Sequence, residues 1–395
     1  IDYHELLSKT IEISNYLPEV RPEEQVLLNQ EIVPAFALTR VIKNGQLITM
    51  GYCELNQRDS YWTSFVHLLL FKEAEITMIN ESCQGQLESG KIPTTLLPLI
   101  EREFDIDITA YFVLRIVRFV RYYYDESRDQ TCRMALQWIV HARKAIDYLY
   151  SLLDKNNLPF ARNFWADWKD VKGMNNRLYG PHFVLLTKAA IKEYKWLYFT
   201  LKNYCQDHSI DSNHFFPNTP FTEVDINADL LWNGNYYQDI MRDGSSDKRF
   251  HQDQLICELW NVCGENRFQS MLTCAEQNQN QFGLPETVPF YPDSFGYRIG
   301  DYHNGGIWPW LSFADAAARM STGYFESGEK LLLDVCKADI LLDNDLCSNE
   351  FLNGITGKSG GHRIQGWNAC VILPFSLRSN NPRNNLAKLI KDMRK

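Results

Sequence analysis

The chain has 395 residues, 45% of them hydrophobic and 13% aromatic, which is enough for a large buried core. A net charge of −9 weighs against a nucleic-acid partner, and no apolar run reaches the roughly 18 residues that span a bilayer, so no membrane partner is expected. Ten cysteines show neither C-x-x-C nor Cys/His zinc spacing, so no metal or cofactor is expected and the thiols read as mostly reduced.

In chain order, apolar residues three and four apart predict a helix over 3–16. A strand-like piece over 36–50 follows, with a hairpin signal at Asn44-Gly45. Helices are then predicted over 59–72, 94–104, 108–124, 131–153, 181–204, 250–263, 265–277, 305–320, 324–342, 365–377 and 384–394. Three long irregular stretches, 157–180, 207–244 and 281–304, are rich in Trp, Asn, Asp, Gly and Pro. Loops of that length inside a helical domain usually carry function. No Ser/Pro-rich linker or charge block divides the chain. About twelve helices with long loops gathered on one side describe an all-α fold, an (α/α)6 toroid with a few short strands, as a single domain over 1–395. The opening Ile1-Asp2-Tyr3-His4-Glu5 does not read as a signal peptide, and the expected compartment is cytoplasmic.

The densest functional signal is Tyr302-His303-Asn304-Gly305-Gly306-Ile307-Trp308-Pro309-Trp310. Indole faces suit the C–H faces of a pyranose, while His303 and Asn304 suit its hydroxyls. Cleaving a glycosidic bond requires one carboxylic acid for the leaving oxygen and a second carboxylate for water or attack, about 6.5–9.5 Å apart in an inverting enzyme.

Three segments offer such acids. In Trp165-Ala166-Asp167-Trp168-Lys169-Asp170, two acids alternate with two indoles, and an acid beside an indole is desolvated and retains its proton more readily. The same acids can instead pair with Lys169, Lys172 or Arg162 on a solvated turn. Glu350 precedes a glycine-rich loop that delivers Gln365 and Trp367; an ordinary surface loop fits it equally. Arg58-Asp59-Ser60-Tyr61-Trp62 opens a helix with Asp59 as its cap. Leu231-Trp232-Asn233-Gly234 is a weaker polar-aromatic loop of the same kind, and Arg249-Phe250-His251-Gln252-Asp253-Gln254 fits such a signal and a cap with a solvated helix start equally.

With these residues in order, the chain resembles the (α/α)6-barrel glycoside hydrolases, in particular the amylo-α-1,6-glucosidases of glycogen-debranching type and the neutral/alkaline invertases. Tyr302-His303-Asn304-Gly305-Gly306-x-Trp308-Pro309 is close to the Y-H-N-G-x-x-W-P loop of both. The resemblance implies Asp170 as general acid, with Asp167 the near alternative, and Glu350 as general base. It implies substrate contacts by Asp59, Trp62, Trp165, Asp167, Trp168, His303, Asn304, Trp308, Trp310, Gln365 and Trp367. The expected activity is inverting hydrolysis of α-glucosides or short, branched α-glucans, without a cofactor. Sucrose cleavage is the alternative, and a carbohydrate-binding protein on the same fold is the second class. Three features depart from the pattern. Pro181-His182-Phe183-Val184-Leu185-Leu186 lacks the glutamate that follows the acid in both families, and Glu350-Phe351-Leu352-Asn353-Gly354 lacks a Tyr and an Asp beside the base. The β-domain that many debranching enzymes carry ahead of the barrel also has no room, leaving a nearly bare barrel.

Overall fold

A computed structural model describes residues 56–96, 99–100, 105–160, 167–169, 174, 176–216, 221–292, 294, 296–341, 349–363, 365–379 and 384–395. The expected helix over 3–16 and strand over 36–50 lie outside them.

The described chain is mostly helical. In order come α1 (Gln57–Thr63), α2 (Phe65–Leu70), α3 (Lys72–Gln84), α4 (Asp107–Tyr123), α5 (Arg128–Ser151) and α6 (Pro181–Asp207). They are followed by α7 (Asp253–Ile256, continued as a 3-10 turn over Cys257–Trp260), α8 (Glu265–Asn278), α9 (Pro309–Ser321) and α10 (Phe325–Leu341). A 3-10 helix over Gly366–Val371 leads into α11 (Ile372–Arg378), and α12 (Asn385–Met393) follows. No described helix is long and apolar enough to cross a membrane.

Several expected boundaries move, each for a local reason. The helix over 59–72 divides at Ser64 into α1 and α2. Carbonyls near the break are taken by two buried guanidinium groups, Arg115 Nη2 on Ser60 O at 2.8 Å and Arg118 Nη1 on Tyr61 O at 2.9 Å. Asn56, not Asp59, caps α1, accepting from the amides of Arg58 and Asp59. The sequence reading missed α3 because its core face mixes Ala74, Met78, Ile79 and Cys83 with Glu75 and Ser82, which blurs the apolar spacing. Residues 94–104 are not a helix where described: Thr95–Leu96 (β1) and Leu99–Ile100 (β2) pair antiparallel. The helix expected from 305 begins at Pro309, because Trp308 is extended and proline favours the first helical position.

Two kinds of helix result. α1, most of α4, α7 with its 3-10 turn, α9 through Met320, and Gly366–Ser376 are buried on every side. By contrast α5, α8 and α12 bury one stripe, such as Leu386, Leu389, Ile390 and Met393 in α12. Together with α6, whose first two turns (Pro181–Thr187) are buried, these segments follow one another around a closed circuit. α1 packs on α4, α4 on α6, α6 on α7, α7 on α9, α9 on the 3-10 helix Gly366–Val371, and that helix back on α1. The amphipathic helices α5, α8, α10 and α12 pack on α4, α7, α9 and α11 respectively.

Small sheets tie the three long loops together. β3 (Arg177–Tyr179), β4 (Asp239–Met241) and β5 (Ser246–Asp247) form one antiparallel sheet that joins the first loop to the second. β6 (Phe250–His251) pairs with β7 (Thr287–Val288), which brings in the third. β8 (Asn349–Leu352) and β9 (Ser359–Arg363) make a hairpin under the last glycine-rich loop.

Candidate active site

The first and third loops, α1, α9 and the 3-10 helix Gly366–Val371 together supply a continuous group of aromatic rings. Trp62 of α1 lies 5.4 Å, centroid to centroid, from Trp310 of α9. Trp310 stacks on Trp367 at 5.4 Å, and Trp367 meets Trp308 edge-on at 5.8 Å. Trp308 stacks on His303 at 4.9 Å, and Trp168 meets His303, Trp308 and Trp310 at 4.8, 5.0 and 5.1 Å. Six residues singled out from the sequence are therefore in mutual contact. All are buried, yet the indole N–H groups of Trp308, Trp310 and Trp367 and both amide atoms of the wholly buried Gln365 have no partner among the described residues. A native interior leaves few buried donors unpaired, so this concentration marks a place where water or ligand oxygen belongs.

The loop that carries Tyr302 to Trp310 holds its shape through close packing. Gly305 has φ +90°, and a side chain there would meet the Phe290 ring at 2.2 Å. Tyr302 also sits at positive φ, 46°. Asn304 is occupied structurally: its oxygen accepts from Tyr291 N at 2.7 Å, and its amide donates to Tyr291 O at 3.2 Å and Tyr297 O at 2.9 Å. His303 Nδ1 is 3.1 Å from Glu286 Oε2, and Glu286 is wholly buried.

Glu350 is joined to the same loop by backbone pairing. Ile307 and Leu352 exchange both backbone hydrogen bonds at 2.8 Å, and Phe351 packs 5.5 Å from Trp308. Glu350 is buried, and its Oε2 accepts from His362 N at 2.8 Å. Gly361 has φ +71°, and a Cβ there would fall 2.1 Å from that same oxygen, so the approach of β9 to the carboxylate requires glycine.

The acids of the other loops are fully buried and ion-paired. Asp167 is bound by Arg177 at both oxygens, 2.8 and 3.2 Å, and accepts from Lys169 N at 3.1 Å. Burial alone would raise its carboxyl, but Arg177 and Lys169 outweigh burial and hold it well below the usual carboxylate range. Arg177 also faces Asp239 at 3.7 Å, and Asp239 lies 3.1 Å from His251 Nε2. Lys169 Nζ bonds Asp253, which also accepts from Trp168 Nε1 at 2.9 Å. Of the two readings of 249–254, the solvated helix start does not hold: His251, Gln252, Asp253 and Gln254 are all wholly buried. Sequence reasoning thus missed Asp253, Arg177, Asp239, His251 and Glu286. A polar run bordering an apolar helix looks the same on a surface as beneath a loop, and only the β6–β7 pairing shows which it is.

Asp59 is buried in the first turn of α1, three residues before Trp62, and Arg58 beside it pairs with Asp107 at 2.8 Å. Asp170 and Trp165 lie outside the described residues.

No family model matches the chain, and no curated protein does. Its likeness is to solved structures. A GH63 mannosylglycerate hydrolase from Thermus thermophilus, in complex with glucose, superposes with a TM-score of 0.66 at 13% identity, covering 87% of this chain and 99% of that one. In its complex with Tris and D-glycerate the TM-score is 0.60 at 15% identity, with 93% and 99% covered. A GH78 family rhamnosidase of Bacillus sp. GL1 gives 0.62 at 14% identity over 88% of this chain and 34% of that longer one. At identities this low the likeness is one of fold: the chain has the helical fold seen in these glycoside hydrolases.

Proposed function

We propose that the closed circuit of buried helices is the inner layer of an (α/α)6 toroid and that the protein is an inverting glycoside hydrolase acting on α-glucosides or short α-glucans. One observation carries the reading. Three buried indole N–H donors, those of Trp308, Trp310 and Trp367, lie without protein partners among the described residues in a cluster of aromatic faces beside the strand of Glu350, and the buried amide of Gln365, two residues before Trp367, is likewise unpaired. A pyranose offers those donors acceptor oxygens and offers the rings its C–H faces. The fold shared with known glycosidases supports the same class.

In this reading Glu350 is the general base that draws a proton from the attacking water. Asp170 is the general acid that protonates the leaving oxygen. Asp167 is the weaker choice for the acid, because a carboxyl bound by a guanidinium at both oxygens does not carry the proton that step needs. Asp59, Trp62, Trp165, Trp168, His303, Trp308, Trp310, Gln365 and Trp367 form the sugar-binding walls. Asp167 and Asn304 shape them from behind. The reaction uses no metal or organic cofactor.

Proton NMR of purified protein with maltose, isomaltose, trehalose, sucrose, a limit dextrin and 2-O-α-mannosylglycerate tests this. The expected result is β-anomer released first from an α-glucoside, with turnover falling by at least about 100-fold in Asp170→Asn. First release of the α-anomer excludes inversion. Absence of turnover on the whole panel, with sugar binding intact, moves the protein to the carbohydrate-binding class.

A further inference from the structure

Asp253 has an environment that none of the roles above uses. It opens α7 and is wholly buried. Two side-chain donors converge on one of its oxygens: Oδ2 accepts from Trp168 Nε1 at 2.9 Å and from Lys169 Nζ. Oδ1 is equally buried and has no partner among the described residues. The contrast with Asp167 is informative, since both oxygens of that acid are taken by Arg177. A carboxylate oxygen left bare in the interior is costly, and natural proteins keep such groups where something supplies the missing donor.

The location narrows what that donor is. Asp253 holds the edge of Trp168, and the Trp168 ring is within 5.1 Å of His303, Trp308 and Trp310. An ionised carboxylate only accepts, so the ligand must bring an O–H or N–H. Next to stacked indoles, the donor that fits is a hydroxyl of a ring lying on them. Lys169, also wholly buried, is the counter-charge that lets the carboxylate remain ionised there without solvent. Resting on the glycoside reading, we propose that Asp253 is a substrate-binding residue that accepts, through Oδ1, a hydrogen bond from one hydroxyl of the sugar ring bound at the aromatic cluster. The pair Lys169–Asp253 then makes the site selective for a sugar carrying that hydroxyl, because an analogue without it leaves the carboxylate bare.

The test is a cycle of protein and sugar deletions, read by quenching of intrinsic tryptophan fluorescence in the full chain. D-Glucose, D-mannose and their 2-, 3-, 4- and 6-deoxy derivatives are titrated against wild type and Asp253→Asn. The expected result is that one deoxy position weakens binding to wild type by about 10- to 100-fold. Asp253→Asn should weaken the parent sugar by a similar factor and no longer distinguish that deoxy analogue from it. If Asp253→Asn keeps the wild-type discrimination, whatever its overall affinity, Asp253 only braces Trp168 and the inference is overturned while the glycoside reading stands. If wild type binds no sugar, both fall together. Should Asp253→Asn not fold, as judged by circular dichroism, Lys169→Met/Asp253→Asn removes the buried charge pair as a unit and carries the same comparison.

Discussion

Glu350 owes its position to the residue opposite it rather than to its own neighbours in sequence. With Gly361 at φ +71° and no room for a Cβ beside Oε2, β9 brings the His362 amide onto the carboxylate and so fixes its direction. Gly361→Ala is therefore expected to displace Glu350 by an ångström or so and to lower kcat about 100-fold. The strained backbone should cost about 1–3 kcal/mol of stability. Glu350→Gln should lose kcat by about 100-fold or more with the melting temperature nearly unchanged, since the amide oxygen still accepts from His362. Steady-state kinetics with thermal melts of both variants check this; a Gly361→Ala protein with full kcat would show that Glu350 has no directional role. The sequence placed Glu350 ahead of a glycine-rich loop, but which glycine faces it depends on hairpin register.

Among the elements, the β3–β4–β5 sheet does the most to assemble the site, and Arg177 is its keystone. From β3 it reaches Asp167 in the first loop and Asp239 on β4. Burial would raise the Asp239 carboxyl, but Arg177 and His251 more than offset this and bring it to about 2. Asp167 is likewise depressed. A carboxyl depressed in the folded state stabilises the protein above its unfolded pKa of about 3.9, and that stabilisation is lost as the pH falls through the folded value. Urea unfolding should thus show stability constant above about pH 4 and declining from there toward pH 2. Arg177→Met removes the guanidinium that two buried carboxylates share and should cost about 3–5 kcal/mol at pH 7 while shrinking that acid limb. An unchanged acid limb in the variant would mean that other carboxyls set it. None of this was legible beforehand, because Arg177 is ten residues from Asp167 and sixty-two from Asp239 in a stretch without periodicity.

Across the whole molecule, the circuit of buried helices closes where the Gly366–Val371 turn meets α1. A Cβ on Gly366 would lie 3.0 Å from Thr63 Oγ1. Gly366→Val should wedge that contact apart at a cost of about 1–3 kcal/mol. If the ring unfolds as one unit, the urea midpoint falls with the slope m unchanged; a reduced m would show that the two ends of the circuit unfold separately. What the sequence determined by itself is the helical class, most helix positions, and the choice of Trp62, Trp168, His303, Trp308, Trp310 and Trp367, which the fold gathers into one cluster of rings. Apolar spacing and clustered indoles are local signals that survive without knowledge of the fold. Only the tertiary structure decided that Asn304 serves the loop itself, that Asp167 is committed to Arg177, and that Asp253 is buried with one oxygen bare. Those outcomes depend on which distant charge or amide arrives at each carboxylate, and pairing across tens of residues leaves no trace in local pattern.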